Sequence, residues 1–539
     1  MSFPELADDY LNDLAQRHPD AATELGDHRF DAQLPSGTPE ALKDERDALR
    51  RFNNRLADID RAGLSPEDRV DAELLAGSIR RRIFGLDELQ EETWNPLITN
   101  PGRAIYVLLA RGFAPLEDRL ASVAGRLAQV PESLAVARRT LRAIPKVHAE
   151  TAVGQFEGTI EMVRTVIDEA LEKAPSMRAE IDAVRPDALA ALNEHRDWLT
   201  TKLRGAGEAG GDVDPRLGPE LFARKLSLTL NSESDSDAIL ARAEADLDIV
   251  TEQIAQLAAD LGGTTREVLD QLAAAAPDEA TILRFCGDAL AAQTQFVIDQ
   301  GIVTVYDDPV ELIEMPEIDR GVAVAYCDSP GPLEPVPLPT FIAVSPTPAD
   351  WSPERVASFY REYNRYTVQN LMVHEAMPGH YLQLQHSRRF GGASTRLRAA
   401  LRSGSFVEGW AVYAERVMTE HEYPGDSDPR YIRMQQLKMQ LRTIINAILD
   451  ARVHAHGMTE DEAMRLMLDR GFQEEGEAAG KWRRVLLTSA QLSTYYVGYT
   501  EVSDLATELR ASGDLNERAM HDRMLAHGSP PVRLLRTVV

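Results

Sequence analysis

Cysteine is nearly absent: Cys286 and Cys327 are the only two in 539 residues. That excludes a disulfide framework, and two reduced thiols are the expected state. Positive charge is also in deficit. Lysine and arginine total 58 against 86 aspartate and glutamate, a formal net charge of −28. A surface of that sign repels phosphate, so nucleic-acid binding through a basic face and docking on anionic lipid are not expected. No run approaches 18 apolar residues, so no membrane span is expected. The start, Met1-Ser2-Phe3-Pro4-Glu5-Leu6-Ala7-Asp8-Asp9, has neither the cationic nor the apolar part of a secretory signal. These absences together give the expectation of a cytoplasmic protein.

What is present is helix. From Pro4 to about Leu203, apolar residues recur at spacings of three and four, as in Leu116, Leu120, Val123 and Leu127. Pro115, Pro131 and Pro145 are read as breaks between antiparallel helices. The glycine-rich stretch from Gly205 to Asp212 reads as a flexible connection, placed at 205–216. It divides an N-terminal helical region, 1–204, from a catalytic region, 217–539, unless the whole is one continuous fold. Helices resume at about Ser236–Leu261, Thr265–Ala275 and Glu279–Gln300. Strand character is confined to Ile302–Tyr306, Gly321–Tyr326 and Thr340–Val344, which are short and β-branched. Between the last two, Ser329–Pro339 holds five prolines and is excluded from a central strand. Ser352-Pro353 then reads as an N-cap with proline at the first helical position, opening a helix toward His374.

The segment Val373-His374-Glu375-Ala376-Met377-Pro378-Gly379-His380-Tyr381 carries the chemistry. Two imidazoles with a carboxylate beside the first are the parts of a zinc-hydrolase helix. In the usual H-E-x-x-H form the histidines are four apart and share a helix face. Here they are six apart, a rotation of about 240° on an unbroken helix, and the rings would not meet. Pro378 breaks the helical bonding and Gly379 tolerates unusual backbone angles, so a two-residue bulge is expected to return His380 to His374. The alternative is a pair of unrelated histidines. His421-Glu422-Tyr423-Pro424-Gly425 starts the same way, lacks a second histidine and is read as a surface turn.

A catalytic zinc keeps three protein ligands and one open position. Phe406–Glu415 reads as a buried helix with Glu408 and Glu415 seven apart, nearly on one face. Buried carboxylates need a partner or a metal. Glu408 is the candidate third ligand, and Glu415 the candidate partner of a ligand N–H or of a substrate amine. Ion pairs with Arg398, Arg402 or Arg416 are the competing account of both acids.

The segments His374–His380 and Glu408–Glu415 resemble the "HEAxPGHxLQ" and "EGWAxYAE" motifs of a large bacterial family, domain of unknown function 885. Weaker matches are Asp450–Gly457, with Arg452 where the family has a small residue, and Gln491–Gly498. The family is itself similar to Glu-zincin metallopeptidases. The resemblance implies a mainly α, multi-helix fold with a deep channel and a small β-sheet beside the active-site helix. It implies Zn2+ held by His374, His380 and Glu408, with Glu375 as general base. His454 and Tyr495 become candidates to stabilise the oxyanion; a helix-terminal histidine and an ordinary buried tyrosine are the plain alternatives. The expected function is a zinc metallopeptidase acting on short peptides. A zinc amidase or esterase for a small metabolite, and a non-catalytic metal-binding protein, are the competing readings.

Overall fold

A computed structural model describes residues 2–208, 213–232, 234–278, 280–315, 325–348, 351–390 and 395–539. Two units divide the chain: Met1–Pro215 with Pro330–Leu338, and Arg216–Ser329 with Pro339–Val539.

Unit 1 is helical. Its core joins three long helices, α1 (Leu116–Thr140), α2 (Lys146–Arg164) and α3 (Arg178–Glu208). Pro131 does not end α1, and Pro186 lies inside α3. A proline inside a helix costs about 3 kcal/mol. Burying one large aliphatic side chain returns about 1.5–3 kcal/mol, and Leu120, Val123, Leu127, Val130 and Leu134 of α1 are all fully buried. Packing therefore overrides the local penalty. The helix α3 also runs on through Gly205–Glu208, where a flexible connection was expected; residues 209–212 of that expectation lie outside the described residues.

Unit 2 holds a three-stranded sheet, β1 (Val310–Glu314), β2 (Ala325–Asp328) and β3 (Thr340–Val344), in the order β1-β3-β2. The central β3 is parallel to β1, with Val310 opposite Thr340, and antiparallel to β2, with Ala325 opposite Val344. Residues 302–306 are not a strand. Side chains capture their backbone instead: His521 Nδ1–H donates to Ile302 O at 2.8 Å, His386 Nε2–H donates to Thr304 O at 2.7 Å, and Asp522 accepts the Thr304 N–H at 2.8 Å. Strand β1, in the next residues, takes the sheet position. The Gly321–Val324 part of the second expected strand lies outside the described residues.

After the sheet come α4 (Pro353–Glu362), capped by Ser352, α5 (Arg365–Glu375), capped by Asn364, and α6 (His380–Arg388). Then follow α7 (Gly404–Glu420), α8 (Pro429–His456), α9 (Glu475–Leu487) and α10 (Ser493–Ser512). The expected helix from Ser352 to His374 is thus two helices, because Asn364 leaves helical geometry and its side chain accepts the N–H groups of Tyr366 and Thr367. No helix among the described residues is long and apolar enough to cross a membrane. Cys286 and Cys327 are not joined in a disulfide.

Candidate metal centre

The two histidines meet at a helix break, not at a bulge. Helix α5 stops at Glu375, the Met377–Pro378 bond is cis, and α6 begins at His380. Gly379 packs against the end of α5: a Cβ there would lie 1.9 Å from His374 O. Its N–H donates to Val373 O at 2.9 Å. Trp410 Nε1–H of α7 donates to Pro378 O at 2.8 Å and ties the break to the helix that carries Glu408. The His374 and His380 rings end 4.7 Å apart at 83°.

Glu408 completes the cluster. Its Oε2 lies 3.4 Å from His374 Nε2 and 3.5 Å from His380 Nε2. That oxygen is buried and makes no hydrogen bond among the described residues. One donor atom from each of the three residues lies within 4.8 Å of the others, the single such group among the described residues. Bonds of about 2.05 Å to a tetrahedral ion put neighbouring ligand atoms about 3.3 Å apart. The two printed separations, 3.4 and 3.5 Å, lie near that spacing, so the three residues could hold a small divalent cation.

The surroundings fix the orientation of His374. Its Nδ1–H donates to Glu415 Oε1 at 2.7 Å, which leaves Nε2 facing Glu408. The other oxygen of Glu415 accepts Asn370 Nδ2–H at 2.6 Å. Asn370 is one turn before His374 on α5, and nothing in the motif singles it out. Burial opposes a charge on His374, yet Glu408 and Glu415 overcome it and hold its pKa well above the usual value. In return the two imidazoles keep the Glu408 carboxyl far below its usual range despite burial. The field that would retain a second proton on His374 is also one that attracts a cation. The competing arginine pairs are not made among the described residues; Arg416 pairs with Glu420 at 3.3 Å.

Glu375 points to the sheet. Its Oε2 accepts the Cys327 N–H of β2 at 3.0 Å. Burial raises its pKa, moderated by the attraction of His380 and His374.

His454 and Tyr495 are not joined to this cluster by any hydrogen bond or ion pair. His454 is buried, with Nε2–H donating to Val485 O (2.8 Å) and Thr488 O (2.9 Å), and stacks on Phe222. Tyr495 Oη accepts from Arg484 at 3.1 Å and Gln491 at 3.4 Å. His456 is not buried, and His421 pairs with Glu517 at 2.8 Å.

A family model described as "Bacterial protein of unknown function (DUF885)" matches residues 19–539. The chain belongs to this family. Among solved structures it is similar to a "putative lipoprotein of unknown function" from Shewanella oneidensis, at 28% identity and TM-score 0.83 over 99% of both chains. A "putative lipoprotein" from Colwellia psychrerythraea shares the fold, with TM-score 0.79 at 19% identity, over 100% of this chain and 99% of that one. No curated protein matches the chain.

Two DUF885-like motifs gain a physical account from the geometry. A Cβ on Gly409 would lie 2.2 Å from the Gly498 carbonyl carbon, and one on Gly498 1.9 Å from Ser405 O. The two glycines let α7 and α10 cross backbone to backbone, which seats Glu408. Asp450 of α8 accepts the Ala490 and Ser493 N–H groups, both at 3.0 Å, and the Ser493 hydroxyl at 2.8 Å. Together with His454, one turn later, it anchors the turn that starts α10.

Proposed function

We propose that this DUF885 protein is a zinc-dependent hydrolase, a metallopeptidase of short peptides. His374, His380 and Glu408 are the zinc ligands and Glu375 is the general base. The observation that carries the reading is the buried Glu408 oxygen, without a hydrogen bond, between two imidazole nitrogens at 3.4 and 3.5 Å. Zinc, when bound, supplies a Lewis acid that brings the pKa of a water from about 16 towards 7. The chain's own residues do the rest. Glu415, steadied by Asn370, keeps the His374 Nδ1 proton in place and so the ring oriented. Glu375 is adjacent in sequence to a ligand and has a carboxyl pKa raised by burial, which moves it toward the operating pH of a general base. It takes the proton of the attacking water and passes it to the leaving amine.

Substrate orientation comes from β2 in this proposal. Its partner β3 occupies one side, and the Cys327 N–H on the other side reaches Glu375. That bond fixes the base beside the sheet, and a bound peptide brings its carbonyl to this carboxylate. A Glu-zincin-like fold with a deep channel belongs to the same proposal and would exclude folded proteins.

Metal analysis of the purified chain should give near one zinc per molecule. Glu375→Gln should keep the zinc and lose about 10²–10⁴-fold in turnover. Full activity in that variant removes Glu375 from its role. A peptide-library digest read by mass spectrometry distinguishes peptide cleavage from hydrolysis of small amides or esters.

A further inference from the structure

A cavity of about 310 Å³ opens in unit 2, and none of His374, Glu375, His380 and Glu408 lines it. Its walls come from the helix Thr265–Ala273, from α4, from α8 and from the start of α9. At about 30 Å³ per water, it has room for about ten waters or for a ligand of about ten heavy atoms.

The floor is polar and incompletely satisfied. Gln435 of α8 is buried; its Oε1 accepts the Thr367 hydroxyl at 3.1 Å, while its Nε2 makes no hydrogen bond among the described residues. One turn later the buried Lys438 donates to Glu362 Oε2 at 2.9 Å, its single bond among those residues, so two of its three ammonium protons remain. Gln473 is 5% exposed, and both atoms of its amide are buried without a partner. A buried polar group left unpaired is costly. The last torsion of a glutamine is soft, so this amide can turn toward a ligand.

Charge decides which ligand end belongs on that floor. Lys438 is already neutralised by Glu362, so a carboxylate placed there meets both signs and gains little. A neutral carboxamide gains more. Its carbonyl accepts from Gln435 and Lys438, and its amide protons are donated to Gln473 Oε1. The rim sets the other end. Arg361 is taken by Asp270 at 2.9 Å and by Glu474 at 3.5 Å. Arg266 and Glu475 are both exposed, and neither has an ion-pair partner among the described residues. One unpaired cation and one unpaired anion on the same rim match a zwitterion.

We propose that this cavity binds a small zwitterion with a neutral carboxamide at its inner end, of the class of the free amino acids glutamine and asparagine. Gln435, Lys438 and Gln473 hold the amide, Arg266 takes the α-carboxylate and Glu475 the ammonium group. The site is independent of the hydrolase reading.

The test is calorimetric titration of the full-length protein with L-glutamine, L-glutamate and L-norleucine. The three share the zwitterionic end and differ in the side-chain terminus. Glutamine should bind at about one molecule per chain and about tenfold or more tightly than the other two. Gln435→Leu and Gln473→Leu should each weaken glutamine by about tenfold, with the melting temperature read alongside. Arg266→Gln and Glu475→Gln alter exposed side chains and keep the test decisive if a leucine variant does not fold; each should weaken glutamine by about threefold. No binding of glutamine, equal binding of glutamate or norleucine, or an affinity that survives all the folded variants overturns the site. Glu408→Ala should bind glutamine as the native chain does. Loss of binding there at an unchanged melting temperature moves the ligand to the metal centre and overturns the cavity site as well.

Discussion

Two buried histidines, one in each unit, have opposite electrostatics. In unit 1, His195 of α3 is fully buried between Phe156 and Trp198, and both ring nitrogens lack partners. Burial, reinforced by Arg138, drives its pKa down to about 4. In unit 2, His374 is also removed from water, but Glu408 and Glu415 face its two nitrogens and push its pKa up. Burial by itself makes a neutral packing residue of an imidazole. Carboxylates brought to both nitrogens make a candidate ligand of it.

The largest expected effect erases that contrast. Glu408→Ala leaves His374 and His380 without their shared carboxylate, and zinc content should fall from near one per chain to near zero by metal analysis. Retained stoichiometric zinc would remove Glu408 from the ligand set. Next comes His195. It is neutral in the folded chain, while its unfolded counterpart takes up a proton below about pH 6.5. Its contribution to stability is therefore present above pH 6.5 and lost as pH falls toward 4, by about 3 kcal/mol. Denaturant titrations at pH 7 and 4.5 should show this loss in the native chain and a smaller one in His195→Phe. A smaller effect is expected at Glu415, where the Gln variant should bind zinc about 10–100-fold more weakly, as read by competition with a chelator.

The smallest effect sharpens the comparison inside unit 1. Burial disfavours a charge on His28, yet hydrogen bonds to Asp31 and Glu334 raise its pKa to about 9. The stabilisation is fully present below about pH 6.5 and lost as pH rises through 9. After discounting for partial exposure it amounts to about 1 kcal/mol. His28→Gln should flatten stability between pH 6.5 and 9.5; an unchanged profile would show that the two acids do not hold the charge.

Periodicity and caps made most helices legible, among them the boundary at Ser352. They failed where distant groups intervened. Pro131 resembles a break locally, but α1 is carried across it by a buried apolar stripe. Ile302–Tyr306 has strand composition, yet its backbone partners are His386, His521 and Asp522, all more than 80 residues away. In the candidate site, His374, Glu375, His380, Glu408 and Glu415 were readable because their residue types are rarely grouped without chemistry. Asn370 was not, since an asparagine inside a helix announces nothing until its amide meets Glu415.

The order of residues alone set the helical class, the acidic surface and the short list of side chains fit to hold a cation, because periodicity, charge and donor type are local properties. The meeting of His374 with His380 was settled elsewhere, by Trp410 gripping the Pro378 carbonyl and by the Gly409–Gly498 crossing that seats Glu408. So was the anchoring of His454, whose Nε2–H is taken by the Val485 and Thr488 carbonyls. Each of these is a contact between segments remote in sequence, where packing and hydrogen-bond satisfaction choose among conformations that local preferences leave nearly equal in energy.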